Sequence, residues 1–328
     1  MLDTLCVAPG VWAVAMPFPS PLGYSFAYFV KAEEGVIVVD LGWDSEEAWE
    51  VFRRGLRRAA VSFDDIVGVI VTHVHPDHYG LAGRVRAETD AWIACHPAET
   101  QYIVGPSDRR AWNEALATWL RECGVPGSGD LGAEITRLVE TMPRSRPSVL
   151  LRDGDAVPGT AGAMRAVHTP GHTAGHLCFR DHERRLLFTG DHVLPRVTPN
   201  ISKRPGYGDD PLGDYLCSLR KLEPMAGEVD MVLPGHEWPF DHPEGRIATL
   251  SDHHTERLRE VEAAVTGGAE TVWEVAGAIA WSRPFGGFDP RAQRQALGET
   301  LAHLARLEAG KRVASRHRAG VVEWGVSM

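Results

Sequence analysis

Six stretches of the chain are nearly continuous in apolar or β-branched residues: Gly35 to Asp40, Val67 to Thr72, Ala91 to Cys95, Ala163 to Thr169, Arg185 to Thr189 and Val229 to Leu233. Short runs of this kind predict strands covered on both faces. Between them the apolar spacing changes to the helical period. Asp44-Ser45-Glu46-Glu47 reads as a capping box, with Trp49, Phe52, Leu56 and Ala60 at helical spacing behind it. Asp108 to Cys123 and Asp210 to Leu222 predict two more helices, the second with Pro211 at its first position. Strands alternating with helices indicate an α/β domain.

From about Arg246 the texture changes. Ser251 to Val265, Glu270 to Trp281 and Pro290 to Glu308 predict three helices. Two strand-like pieces follow, Arg312 to His317 and Val321 to Trp324, joined by Arg318-Ala319-Gly320. Three helices and a hairpin follow the plan of a winged helix. The expected division is residues 1–245 for a catalytic domain and 246–328 for a winged-helix-like C-terminal domain.

Composition then excludes classes. With 328 residues, 44% hydrophobic and 24% charged, the chain is globular rather than disordered, collagenous or coiled coil. A net charge of −10 opposes tight non-specific binding to nucleic acid or membrane. The five cysteines are far apart and form no CxxC, which speaks against a disulfide framework and for a reducing cytoplasm. No signal-like pattern opens the chain and no apolar run reaches membrane-spanning length, so no membrane partner is expected.

Histidine changes the picture most. The strand Val67 to Thr72 runs into His73-Val74-His75-Pro76-Asp77-His78. Histidines two apart on extended backbone project to one side, so His73 and His75 can share an ion. Asp77 and His78 lie where the chain turns towards a helix and can face a second ion. Three later segments place a ligand-type residue just past a strand end: His172 in Thr169-Pro170-Gly171-His172, Asp191 in Thr189-Gly190-Asp191, and His236 in Pro234-Gly235-His236. Gly171, Gly190 and Gly235 allow tight turns and close backbone approach.

His-x-His-x-Asp-His, a distant His, an Asp in a TGD turn and a final His in a PGH turn resemble the metallo-β-lactamase-fold hydrolases over residues 7 to about 242. The resemblance implies an αβ/βα sandwich. It places His73, His75 and His172 on a first metal and Asp77, His78 and His236 on a second, with Asp191 bridging. No cysteine follows a ligand turn, unlike in the antibiotic-degrading lactamases with a zinc-binding cysteine. The all-His/Asp set is similar to the hydroxyacylglutathione hydrolase (glyoxalase II) and RNase Z side of the superfamily. The C-terminal texture and Thr189-Gly190-Asp191-His192-Val193-Leu194-Pro195 resemble β-lactamase-like proteins with a C-terminal winged helix, a group with endoribonucleases and thioesterases.

The implied cofactors are two divalent ions, zinc by default, with iron or manganese compatible. Ions sharing one carboxylate also share a water, whose pKa falls towards about 7 and which can attack a carbonyl or a phosphorus. Asp77 and Asp191 are the candidate catalytic residues, Asp77 through an oxygen that orients the water. No nucleophile elbow, P-loop or dinucleotide fingerprint occurs. Thr72, Thr169, Thr189, His176 and His192 are candidates for orienting the ligands, and His168 alternates away from its loop.

The expected substrate is a small acyl thioester or ester, with single-stranded RNA as the alternative and a homodimer compatible. Residues 291–328 hold seven bases and three acids, which suits RNA. A winged-helix nucleic-acid binder with a non-catalytic hydrolase domain is a third reading. Phe18, Tyr24, Tyr28, Trp43, Tyr207, Trp238 and Phe240 are aromatic candidates near the substrate, and Arg196, Lys203 and Arg204 candidates for receiving an anion. The segment from Asp108 to Gly132 is a candidate lid.

Overall fold

The computed structural model describes residues 4–103, 108–127, 129–142 and 144–327. Strands β1 (Leu5–Ala8), β2 (Val11–Pro17), β3 (Tyr24–Lys31), β4 (Val36–Val39), β5 (Ile66–Ile70), β6 (Trp92–Cys95) and β7 (Val149–Leu150) form one sheet in that order. Pairing is antiparallel from β1 to β4 and parallel from β4 to β7. A second sheet contains β8 (Met164–His168), β9 (Leu177–Asp181), β10 (Leu186–Gly190) and β11 (Met231–Pro234), ordered β11-β10-β9-β8. Only its β10–β11 pair is parallel.

The uninterrupted apolar runs have a direct cause. In β4, Ile37 and Val39 enter the core between the sheets with Tyr28, Ile70, Phe179, Phe188 and Leu233. Val36 and Val38 point the other way, into a core built with helices. Helix α1 (Glu46–Arg58) supplies Trp49, Phe52 and Leu56 to that outer core. Helices α2 (Pro76–Tyr79) and α3 (Ala82–Glu88) add Tyr79, Ala82 and Val85. After β6 the chain inserts α4 (Arg109–Glu122) and α5 (Gly129–Thr141). The second sheet is covered by α6 (Pro211–Ala226) and the start of α7 (Pro243–Thr266), through Leu212, Tyr215, Leu219, Leu222, Ile247 and Leu250. Helices outside two packed sheets make the αβ/βα sandwich.

The C-terminal part continues with α8 (Val272–Ala278), α9 (Pro290–Ala309) and the antiparallel pair β12 (Val313–Arg318) and β13 (Val321–Val326). Helix α7 is continuous across residue 245. The core of this part also takes Leu116, Trp119 and Leu120 of α4, beside Val275, Leu297 and Leu304. The candidate lid is therefore anchored at α4 in a hydrophobic core, and its Ser128 lies outside the described residues.

All six apolar runs fall on strands of the two sheets, while β1 to β3, β7 and β9 add strands that the runs do not mark. The expected capping box at Ser45 needs correction. Ser45 caps α1 by accepting from the Ala48 amide at 3.1 Å, but the third helical position is Ala48, so Glu46 and Glu47 cannot return the bond. They instead lie in the first turn, where the helix dipole favours acids. A full box closes at Thr271 and Glu274 at the start of α8.

Candidate metal centre

The metal-binding candidates meet at the C-terminal ends of strands from both sheets. His73 and His75 leave β5 on extended backbone, and His73 Nε2 lies 2.9 Å from His75 Nδ1. Pro76 starts α2, whose first turn swings Asp77 and His78 round behind them. The loop after β8 brings His172 Nε2 to 3.0 Å from His75 Nδ1. β10 delivers Asp191 and β11 delivers His236. Asp191 Oδ1 is 3.4 Å from both His78 Nε2 and His236 Nε2, while its Oδ2 is 3.6 Å from His172 Nε2. Asp77 Oδ2 completes the group, 3.4 Å from His236 Nε2.

Two glycines make this approach feasible. Gly190 has φ +48°, and a Cβ there would sit 2.6 Å from the Thr72 side chain. A Cβ on Gly235 would come within 2.6 Å of both Asp191 Oδ1 and His78 Cε1.

The outward nitrogens determine what the inward ones offer. His172 Nδ1 faces the Asn200 carbonyl at 3.0 Å and His236 Nδ1 the Tyr24 carbonyl at 2.9 Å. Both must donate, so each Nε2 is a bare lone pair in the neutral ring. His78 Nδ1 likewise donates to Asp40 Oδ2 at 2.9 Å. The Thr72 hydroxyl donates to the same Asp40 carboxylate at 2.8 Å, which leaves its oxygen to accept from His73 Nδ1 at 3.1 Å. Four lone pairs and two carboxylates thus converge with no donor from these groups between them. His78 Nε2 and Asp191 Oδ1 are buried without a hydrogen-bond partner among the described residues. Such a set is repulsive unless a cation sits inside it. Tetrahedral bonds of about 2.1 Å separate ligand atoms by about 3.4 Å, close to the spacings seen here. The residues fit divalent ions in two overlapping groups: His73, His75 and His172 on one side, Asp77, His78 and His236 on the other. Asp191 reaches both.

Charge without a cation shows the same strain. Burial pushes His73 well down, and the neighbouring His78 and His75 add to it. Burial alone would lower His236 too, but the Asp191 and Asp77 carboxylates lift it to about 10. Burial would raise Asp77; the His78 and His236 imidazoles overcome this and hold it below the usual carboxylate range.

Around these groups the other candidates separate. His176 is buried, bonded through Nδ1 to the Thr169 hydroxyl at 2.9 Å, and its Nε2 accepts from the Asp191 amide at 3.3 Å. Thr72 holds His73 as described. Thr189 donates to the Val193 carbonyl at 2.8 Å and so closes the Asp191 turn. His192 is buried between Tyr215 and His176, and burial pushes it down to about 3. His168 stacks on His96 at 4.0 Å, away from the centre. Phe18 lies 5.5 Å from the His236 ring and 6.4 Å from Trp43. Tyr24 donates to the Glu237 carbonyl, and Tyr28 is core, donating to Pro234 at 2.6 Å. Phe240 packs against the α6 side, whereas Trp238 is 46% exposed under Arg196. Arg196 pairs with Glu237, and Lys203 donates to the Asp209 carbonyl. Arg204 and Tyr207 reach His75: the Tyr207 hydroxyl is 2.8 Å from its Nε2.

Three residues escaped the sequence reasoning. Asp40 receives the Thr72 amide, the Thr72 hydroxyl and His78. It ends a strand just as the other candidates do, so the same rule applied to Val36–Val39 would have found it. Glu99, fully buried, accepts from the Val74 amide at 2.9 Å and the Gly175 amide at 2.8 Å, tying two ligand loops together. Asn200 holds His172 through its main chain, while its side chain donates to Glu299 of α9 at 3.3 Å. Neither of these last two carries a local signal.

The profile of the metallo-beta-lactamase superfamily matches residues 20–236, and the chain belongs to that superfamily. Among its relatives, the probable metallo-hydrolase YqjP of Bacillus subtilis (strain 168) is 26% identical over 318 residues, 93% of this chain and 94% of that protein. A hydroxyacylglutathione hydrolase of Rhizobium etli is 30% identical over 71% of this chain and 74% of its own. The acyl-coenzyme A thioesterase MBLAC2 of Homo sapiens is 27% identical over 64% of this chain and 71% of its own. The crystal structure of a beta-lactamase domain protein from Burkholderia ambifaria superposes with a TM-score of 0.84 at 29% identity, covering 99% of this chain and 94% of that one.

Proposed function

We propose that the protein is a dinuclear metal-dependent hydrolase acting on a small acyl thioester or ester. The observation that carries this reading is the convergence of ring nitrogens of His73, His75, His172, His78 and His236 with the Asp77 carboxylate around Asp191. The thioester preference draws on relatives named as thioester hydrolases. Bound here, divalent ions, zinc by default and iron or manganese as compatible alternatives, supply Lewis acidity and a water acidified into the neutral range. The chain's own residues do the rest. Asp191 lies between the two ligand groups and holds them together. Asp77 aligns the attacking water and takes up its proton at a carboxylate oxygen. Water adds at the acyl carbon, the carbon–sulfur bond breaks, and Asp77 returns the proton to the departing thiolate, so a carboxylic acid and a thiol leave.

The C-terminal part, which we read as winged-helix-like and beginning near residue 246, serves this centre from behind through Glu299 and Asn200. Its basic side chains give RNA little to grip. Arg294, Arg306, Arg312, Arg316 and Arg318 each lie against a carboxylate. Among the described residues no helix is long and apolar enough to cross a membrane.

The test is metal analysis joined to a panel of thioesters, lactones and phosphodiesters. The expected result is two divalent ions per chain, with thioester turnover that a chelator abolishes and added Zn²⁺ restores. Zinc-loaded protein that cleaves no thioester or ester overturns the reading.

A further inference from the structure

One loop holds two of the three histidines on one side of the centre. Between β10 and α6, residues 200–207 present the Asn200 carbonyl to His172 Nδ1 at 3.0 Å and the Tyr207 hydroxyl to His75 Nε2 at 2.8 Å. With His75 Nδ1 turned inward as a ligand, Nε2 keeps the proton and donates to the Tyr207 oxygen. Arg204 donates to the same oxygen and lies 4.3 Å over the Tyr207 ring, so the hydroxyl is held in place. This loop is seated on α9. The Asn200 side-chain amide donates to the Glu299 carboxylate at 3.3 Å and to the Gln295 carbonyl at 3.4 Å, and the Lys203 main-chain amide donates to the Gly298 carbonyl at 2.9 Å. Gly298 lets the helix come this close, because a Cβ there would lie 2.7 Å from Ser202 Oγ. The other ligand group takes its outer contacts elsewhere. His78 is held by Asp40, just past β4, and His236 by the Tyr24 carbonyl of β3.

We propose that the loop of residues 200–207, seated on α9, is a positioning device for His75 and His172 alone. The C-terminal part then governs the ion of the His73, His75 and His172 group, while the first sheet governs the ion of the Asp77, His78 and His236 group. The inference rests on the two-ion reading above. Its chemical basis is that the group behind a ligating imidazole fixes the ring and its tautomer, and loss of such a group weakens metal affinity about 10–100-fold. Here two such groups belong to one short segment, so displacing that segment disturbs both rings at once. Asn200 and Tyr207 are positioning residues, acting through His172 and His75.

The experiment follows the histidine ring signals of isotope-labelled protein by NMR during a zinc titration, in wild type, Tyr207→Phe and Gly298→Ala. Single His→Gln variants assign the signals, and circular dichroism checks the fold. Tyr207→Phe removes one oxygen and keeps the ring, so it tests the loop even where Gly298→Ala does not fold. In wild type, zinc shifts the rings of both groups. In the variants the His78 and His236 rings should shift as in wild type, while those of His75 and His172 should need about 10–100-fold more free zinc. Equal weakening of both groups in the folded variants overturns the proposal, because a general loosening of the fold would do the same. Wild-type affinity at both groups in the folded variants overturns it too. Wild type that takes up no second ion overturns the two-ion reading instead, and the loop is then judged on metal-free protein. There the folded variants should move the ring signals of His75 or His172 and leave those of His78 and His236 in place. Signals unmoved, or moved in all four rings, overturn the proposal.

Discussion

Two buried groups of histidines sit in this protein under opposite electrostatics. At the strand ends, His73, His78, His172 and His236 face inward around two carboxylates, and His236 is lifted to about 10. Between α7 and α9, His254 Nδ1 meets His303 Nε2 at 3.2 Å, and His303 Nδ1 donates to the Glu299 carbonyl at 2.8 Å. No carboxylate oxygen bonds to either ring there among the described residues. Burial pushes His254 to about 2 and His303 to about 3, with each ring lowering its neighbour or being lowered by nearby cations. Residue type and burial are the same in both groups. What differs is whether carboxylates converge on the same point, and only that turns imidazoles into a cation site.

Removing one converging ligand should have the largest effect. His75→Ala loses metal and activity together, by more than the roughly 10–100-fold expected of a residue that only orients a ligand. Metal content unchanged by elemental analysis would break the comparison at its strongest point. Asp40→Asn tests the layer behind. It leaves every inward atom in place but weakens the hold on His78 and Thr72, so metal affinity should fall about 10–100-fold in a competition titration. An affinity within error of wild type would show that the ring orientation is held by packing alone.

The smallest effect belongs to the C-terminal pair. His254 and His303 are depressed in the fold, so they stay neutral while the unfolded chain protonates near 6.5. Their contribution to stability is present above that pH and is lost as pH falls towards 3. Melting temperature should therefore decline below pH 6.5, and less steeply in His254→Phe. Equal slopes in the two proteins would mean that this pair does not titrate as its burial implies.

Much of the site was legible because its rule is local. A ligand-type residue just past a strand end, repeated four times, needs only β-periodicity and a glycine to be noticed. Asp40 obeys that rule and was still overlooked, since an acid after one apolar run has no second histidine to draw attention to it. Glu99 and Asn200 obey no local rule. Their function depends on which backbone amides or rings arrive beside them from segments 25 to 76 residues away.

By itself, the sequence determined the α/β alternation, the doubly covered strands and the seven side chains able to hold ions, because each follows from spacing along a few residues. Only the tertiary structure decided the rest. It chose which nitrogen of each histidine faces inward, through carbonyls and carboxylates brought up from other strands. It merged α4 with the C-terminal helices into one core, because packing across distant segments, not periodicity, determines which helices share one.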